Sequence, residues 1–360
     1  MKVYKLRLII IIIVVTLFLS FPAWGISKNK LSLVKAVNLA LKQDFDLKIA
    51  QTDLNNKQIT YQQTKVNNIL TQSKTKKLQN KLILNQAQSD YHQRKNEIIK
   101  EVINQYLKLR ERKINIQVKK NRLKLRKNEL NNIKAQVEQG NAKQIELIEK
   151  KIEYNSAEYD LKQVNDKYNL LLQQLKFNLG LTKDQKIVLT IINQPSIWKI
   201  KSNKSVKISK KNSLALSLKK KQVKLAKIRL KRNQVSEVSK LSIEKLKGKQ
   251  RLAKLEYQKG VRQLIVSVKK NYQKLKQAEA SLKLRQQQLG QLKEKYKLMK
   301  EYQEQGLKSK NQLLNTKINY LQAKYNYQQT ITNYYLAALN LQQQMGMQIE
   351  VNFNELAFGE

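Results

Sequence analysis

The side chains that could do chemistry in this sequence are few, and their spacing speaks of charge and helix capping rather than catalysis. There is no cysteine and a single histidine, His92, in 360 residues. Disulfides, thiolate metal sites and cysteine nucleophiles are excluded together. One histidine on a polar helical run is a surface residue, and no Ser-His-Asp set can form around it. No glycine-rich phosphate loop occurs, and the carboxylates fall at coiled-coil spacing, where they pair with lysine. What remains is charge: 72 lysines and arginines against 26 aspartates and glutamates. Such a field draws anionic partners, although the basic residues are spread along the chain as a solvated helix surface carries them. The expectation is no enzyme, no cofactor and no metal.

The polar residues with a positional role sit in a stretch that is written twice. Glu138-Gln139-Gly140-Asn141-Ala142-Lys143-Gln144-Ile145-Glu146 is answered by Glu304-Gln305-Gly306-Leu307-Lys308-Ser309-Lys310-Asn311-Gln312, offset by 166 residues without a gap. The same offset carries Val102 to Val268, Tyr106 to Tyr272, Leu109 to Leu275, Tyr159 to Tyr325 and Gly180 to Gly346. One unit has been duplicated. Within each copy apolar residues recur every seventh position. Val102, Leu109, Ile116, Leu123, Leu130 and Val137 lead into the first glycine, and Leu147, Tyr154, Leu161, Tyr168 and Leu175 lead away. The second copy answers with Val268, Leu275, Leu282, Leu289 and Tyr296, then Leu313, Tyr320, Tyr327, Tyr334 and Leu341. A seven-residue period is a coiled-coil seam, and Gly140 and Gly306 supply the positive-φ residue that ends a helix. Each copy is therefore a long antiparallel helical hairpin, and the seam tyrosines are core residues rather than an aromatic ligand stripe. Ser309 with Gln312 makes a capping box; in the first copy Asn141 with Gln144 would cap one turn earlier.

Only 9 glycines and 2 prolines among 360 residues also argue for long helices. Lys2, Lys5 and Arg7, the apolar run Leu8–Leu19 and the small residues before Ile26 read as a signal peptide over 1–25, with an uncleaved anchor as the competing reading. Its removal leaves 69 basic against 26 acidic residues, and export disfavours nucleic acid as the partner. Leu33, Val34, Val37, Leu39 and Leu41 form one helical stripe, broken at residues 43–46 with Asp44 as the N-cap of a helix running from Leu47 towards Val66. A break follows at 67–75, then a seam helix over Lys76–Gln139, about 95 Å long at 1.5 Å per residue, with its return ending near Asn178. Residues 185–192 are rich in β-branched side chains and read as a short strand or an extended linker. The expected division is a first hairpin unit over 26–182, a linker over 183–210 holding that extended segment, a second unit over 211–347 and a tail over 348–360. The second unit breaks at 235–242, its long helix spans Lys249–Gln305 and its return Lys310–Met345. Strand is expected elsewhere only in the tail near 348–353.

The ordered series Leu31-Ser-Leu-Val-Lys-Ala-Val-Asn-Leu-Ala-Leu, Asp44-Phe45-Asp46-Leu47, Asn104-Gln105-Tyr106-Leu107-Lys108-Leu109, the two Glu-Gln-Gly tips, and the Leu-Gly and Met-Gly endings at 180 and 346 resembles the TolC family of outer membrane efflux proteins. The resemblance covers nearly all of the chain after residue 25. It implies an all-α pair of tandem coiled-coil hairpins, assembled as a homotrimer into a twelve-helix periplasmic tunnel. It also implies work with a periplasmic adaptor and an inner membrane transporter in drug efflux or type I secretion. The tip residues Gly140, Asn141, Glu146, Gly306, Ser309 and Gln312 would meet the adaptor.

The sequence departs from the family where barrel strands should stand. Residues 67–75 and 235–242 lack the alternating stretches of about ten residues that a membrane barrel strand needs. With no later run of 18 apolar residues either, the chain is expected to associate with the envelope without crossing a bilayer unaided. At the tips, family members carry an aspartate six residues after the glycine; here Glu146 and Gln312 stand there, so only Glu146 would contribute a carboxylate to a ring at the closed end. Off the seam, Leu107, Ile114, Val118 and Leu125 need a further helix as cover, and closure of a three-subunit ring would provide it. The alternative is a non-conducting basic bundle binding anionic envelope lipids or cell-wall polymers.

Overall fold

The computed structural model describes residues 29–71, 73–190, 195–235, 239–347 and 349. Residues 1–25, where the signal peptide is expected, and nearly all of the tail lie outside the described residues. In chain order the elements are β1 (Asn29–Leu31), α1 (Leu33–Gln43), α2 (Phe45–Thr71), α3 (Lys74–Glu138), α4 (Gln144–Asn178), β2 (Ile187–Leu189), α5 (Ser202–Asn212), α6 (Leu214–Val235), α7 (Lys240–Glu304) and α8 (Lys310–Gln344). The fold is all-α, two tandem hairpins with one two-stranded sheet among the described residues.

Helix starts follow side-chain chemistry. Ser32, Ser73, Ser213 and Ser239 accept backbone N–H groups of the turns they open, at 3.1–3.4 Å. Asp44 does the same for Leu47 N–H at 2.7 Å, as expected, and is itself held by Arg94, whose Nη2 lies 2.6 Å from Asp44 and 3.1 Å from Asp46. That pair pins the α1–α2 corner to the side of α3.

α3 is covered twice along its length. The 27 residues of α2 and the 35 of α4, laid end to end, nearly match its 65. Contacts between α3 and α4 are placed symmetrically about Gly140: Arg126–Glu153 at 2.9 Å, Lys119–Asp160, Arg112 to the Lys167 carbonyl, and Asn178 to Glu101 at 3.0 Å. The seam between them buries Val102 and Leu109 fully and the later seam residues partly. The second copy repeats this plan with α6 and α8 along α7.

The two hairpins join through α3 and α8. Val118 and Leu125 pack with Leu314, Ile318 and Leu321, and Asn128 donates to Asn311 at 2.9 Å. Leu107, Val118 and Leu125 are thus covered inside one chain and not by a neighbouring subunit, while Ile114 stays half-buried. The helix order is α4–α3–α8–α7 on the tip side and α2–α3–α6–α7 on the other. Where the halves meet, one large core gathers residues of α1, α3, α4, α7 and α8 with Trp198 and Ile200.

A belt of chain crosses this core. β1 pairs in parallel with β2, Asn29 opposite Ile187. Tyr106, fully buried on α3, donates its hydroxyl to Leu31 O at 2.8 Å; Tyr334 on α8 donates to Ser196 O at 3.0 Å and accepts Trp198 N–H at 2.7 Å. Burial pushes both phenols up from their ordinary values, so they remain neutral hydrogen-bonding groups.

Three boundaries differ from expectation. Residues 202–210, placed in the linker, belong with 211 and 212 to α5, the counterpart of α1: it buries Ser205 and Ser209 in place of leucines and so shows no apolar stripe. α7 begins at Lys240 and runs through Gly248, because a single glycine costs only about 1 kcal/mol in a helix held along its length. The strand expected over 185–192 is Ile187–Leu189, and its partner β1 was unforeseen. Replacing Leu109, wholly buried on the seam, with alanine is expected to cost about 2–5 kcal/mol in chemical denaturation. Gln117→Ala, on an exposed face of α3, should change stability by less than about 0.5 kcal/mol.

Candidate functional site

The tips are built from the helix ends upward. In the first, Gly140 has φ +76°, Gly140 N–H reaches Val137 O at 3.0 Å and Asn141 N–H reaches Gln136 O at 2.7 Å. In the second, Gly306 has φ +75°, with Gly306 N–H to Gln303 O at 3.1 Å and Leu307 N–H to Tyr302 O at 2.9 Å. Both are Schellman closures, which satisfy the orphan carbonyls of a helix end and need a left-handed residue. The tips lie at the same end of the molecule, as the Asn128–Asn311 contact between the helix that enters the first turn and the helix that leaves the second requires.

Their second halves differ. Ser309 Oγ accepts Gln312 N–H at 3.2 Å and Gln312 Oε1 accepts Ser309 N–H at 2.9 Å, the expected capping box. The Asn141–Gln144 cap expected in the first copy does not form. α4 starts at Gln144 itself, its N-cap is Lys143, and no side chain caps it, since an ammonium has no acceptor to offer. Glu146 stands in that uncapped first turn, where its charge complements the helix dipole. Gly140, Asn141, Glu146, Gly306, Ser309 and Gln312 are all exposed. Beside them Ile145, Ile148 and Leu307 are 56%, 47% and 65% exposed, so the tips present apolar side chains as well as polar ones.

Two further features run along the long edges. On α4, Ile145, Ile148, Ile152, Tyr159, Leu170 and Phe177 are exposed at spacings of three, four, seven and eleven, which fall on one helical face. On α7, Leu252, Leu255, Val266, Leu284, Leu298 and Tyr302 do the same. α4 and α7 are the outer helices of the tip-side layer, so each leaves a full-length apolar stripe uncovered in a single chain.

Between the hairpins lies a polar patch that sequence spacing did not single out. Glu111 is buried on α3, and burial pushes its carboxyl up, with Thr332, Lys108 and Arg112 pulling it back. Arg110 beside it is pushed down by burial. A charged pair of neighbours facing α8 would have been the signal, had the α3–α8 contact been known. The seam tyrosines pack as expected: Tyr334 is buried, Tyr168 and Tyr327 lie against the main core, Tyr320 stacks on Tyr296 at 5.6 Å, and Tyr154 is half-buried. His92 is exposed, and no cluster of metal-ligating side chains exists among the described residues.

The tandem helical hairpins have the fold of TolC-family outer membrane channels. Solved structures with this fold include the outer membrane protein VceC of Vibrio cholerae (12% identity, 88% of this chain and 97% of that one, TM-score 0.61). The CmeC outer membrane channel of Campylobacter jejuni matches at 11% identity over 90% of this chain and 88% of that one, TM-score 0.66. The open-state MtrE outer membrane channel of Neisseria gonorrhoeae matches at 11% identity over 88% and 89%, TM-score 0.58. At such identities the likeness is one of fold. No family model matches the sequence, and no curated protein does.

The uncapped first tip predicts a gain. Lys143→Ser would create Ser-Gln-Ile-Glu with Glu146 at the third helical position, and should stabilise the protein by about 1 kcal/mol; Ser309→Ala should cost about the same. Glu111 predicts a pH dependence. Its folded pKa lies above the unfolded value, so its penalty is absent below the unfolded pKa, grows as pH rises between the two values and is full above the folded one. Glu111→Gln should therefore raise the melting temperature at pH 7 and leave it unchanged near pH 4, read by calorimetry.

Proposed function

We propose that the chain is the periplasmic tunnel of an efflux or type I secretion assembly, carrying small molecules or exported protein. Three copies close a twelve-helix ring. Its hairpin tips, around Gly140, Asn141, Glu146, Gly306, Ser309 and Gln312, meet a periplasmic adaptor coupled to an inner membrane transporter. The chain is exported and works at the outer membrane without catalysis or cofactor.

The observation that carries this is the pair of edge stripes. They lie on opposite edges of the layer and differ from each other, so the contact that covers them is head-to-tail, and a head-to-tail contact closes into a ring when its rotation allows. Four helices per copy in the tip-side layer give twelve for three copies. The fold shared with outer membrane channels supports a tubular product of that closure over an open filament.

Ile148 and Leu298 each stand eight residues from their tip glycine, on the two stripes, and both are 47% exposed. In the cysteine-free chain, Ile148→Cys with Leu298→Cys treated with a short bis-maleimide should give a ladder that stops at three subunits. A ladder that continues past three, or monomer alone, would exclude the closed ring. Export should fail when the ring forms but the tips are altered, read as dye accumulation in cells carrying Gly140→Val and Gly306→Val.

A further inference from the structure

We propose that the end of the molecule opposite the hairpin tips is a docking surface for a membrane leaflet rich in anionic lipid headgroups. Two pairs of helix ends build this end: Thr71 of α2 with Lys74 of α3, and Val235 of α6 with Lys240 of α7. They lie level, because α6 runs beside α3 there, with Arg229 Nη2 donating to Gln79 Oε1 at 3.4 Å. Among the described residues no strand pair stands at this end, and no helix is long and apolar enough to cross a membrane. Contact here is therefore peripheral.

Charge is concentrated at this end beyond what the composition alone requires. Residues 216–255 hold fourteen lysines and arginines against two glutamates, and residues 54–87 hold six lysines and no carboxylate. Over a similar length at the tip end, residues 120–160 and 286–326 hold seventeen basic but ten acidic residues. One of the two glutamates, Glu244, is taken by Lys247 at 2.6 Å. Lys221, near Lys81 across the α3–α6 contact, has its ammonium pushed down by burial and by that like charge. Cations crowded against one another are relieved by an anionic surface.

Apolar exposure decides which anion. Val235 and Leu241 flank the α6–α7 join and are 87% and 84% exposed, and Val66 on the last turns of α2 is 62% exposed. A soluble polyanion would engage the lysines and leave these side chains in water. A lipid interface takes both, headgroups for the lysines and the acyl boundary for the apolar residues. The inference is independent of conduction: an open tunnel and a non-conducting bundle would dock by the same end.

The test uses the full chain with phosphatidylcholine vesicles, with or without about 30 mol% phosphatidylglycerol, in a flotation assay. Binding should require phosphatidylglycerol and be lost near 0.5 M salt, where screening reaches about 4 Å. Lys231→Gln with Lys240→Gln and Lys245→Gln should weaken binding at least about tenfold, whereas Lys120→Gln with Lys124→Gln and Lys127→Gln, exposed on the tip-side part of α3, should leave it within about twofold. Both variants keep the same N-terminal segment, so any anchoring by it is common to both. Leu241→Trp should report a blue shift on the anionic vesicles. Equal weakening by the two triple variants would overturn the proposal, as would an unshifted fluorophore at 241, or binding to soluble polyphosphate with none to vesicles.

Discussion

Everything in this molecule depends on α3 being buried on two sides. A seven-residue seam gives a helix one partner, and Val102 and Leu109 spend that seam on α4. Leu107, Val118 and Leu125 make a second apolar face, and α8 fills it. Each fully buried leucine is worth about 1.5–3 kcal/mol, so this second face is strong enough to lock two hairpins that would otherwise be joined only by the belt. The lock puts both tips at one end of the molecule, and it leaves α4 and α7 as the edges with their stripes exposed.

The belt explains how such elongated hairpins keep a fixed register. Seams with a uniform period tolerate slippage, since a shift of seven residues restores most contacts. Tyr106 and Tyr334 remove that freedom by binding single backbone groups of the crossing chain, Leu31 O, Ser196 O and Trp198 N–H. The glycine ends add to it. A Cβ at Gly180 would meet Gln43 at 2.8 Å, and one at Gly346 would meet Asn212 at 2.9 Å, so the ends of α1 and α5 rest on equivalent points of the two units. Duplication is thus preserved in the places where backbone approaches most closely.

Much of this was legible in the sequence because it is local or periodic. The seams, the positive φ of Gly140 and Gly306, the Ser309–Gln312 box and the Asp44 cap each follow from a few neighbouring residues, and the structure holds them as read. What was not legible depends on distant partners. α5 hides behind Ser205 and Ser209, whose burial next to α7 makes small polar residues the right fit. β1 is three residues long and exists through β2, some 158 positions away. The cover of Val118 and Leu125 was assigned to another subunit because heptads reveal one face at a time, and the inner face of the second hairpin is as apolar as an intersubunit contact would be. The failed Asn141–Gln144 cap has a local cause: the closure at Gly140 consumes Asn141 N–H, and α4 begins only once Lys143 has turned extended.

With the inner face satisfied within the chain, only the edges remain to drive assembly, and the central claim becomes countable. Light scattering on the purified protein gives the number of chains per particle without reference to any label or partner. The account predicts three. A stable monomer, with both stripes open to water, or a mass that rises without limit as concentration increases, would contradict it.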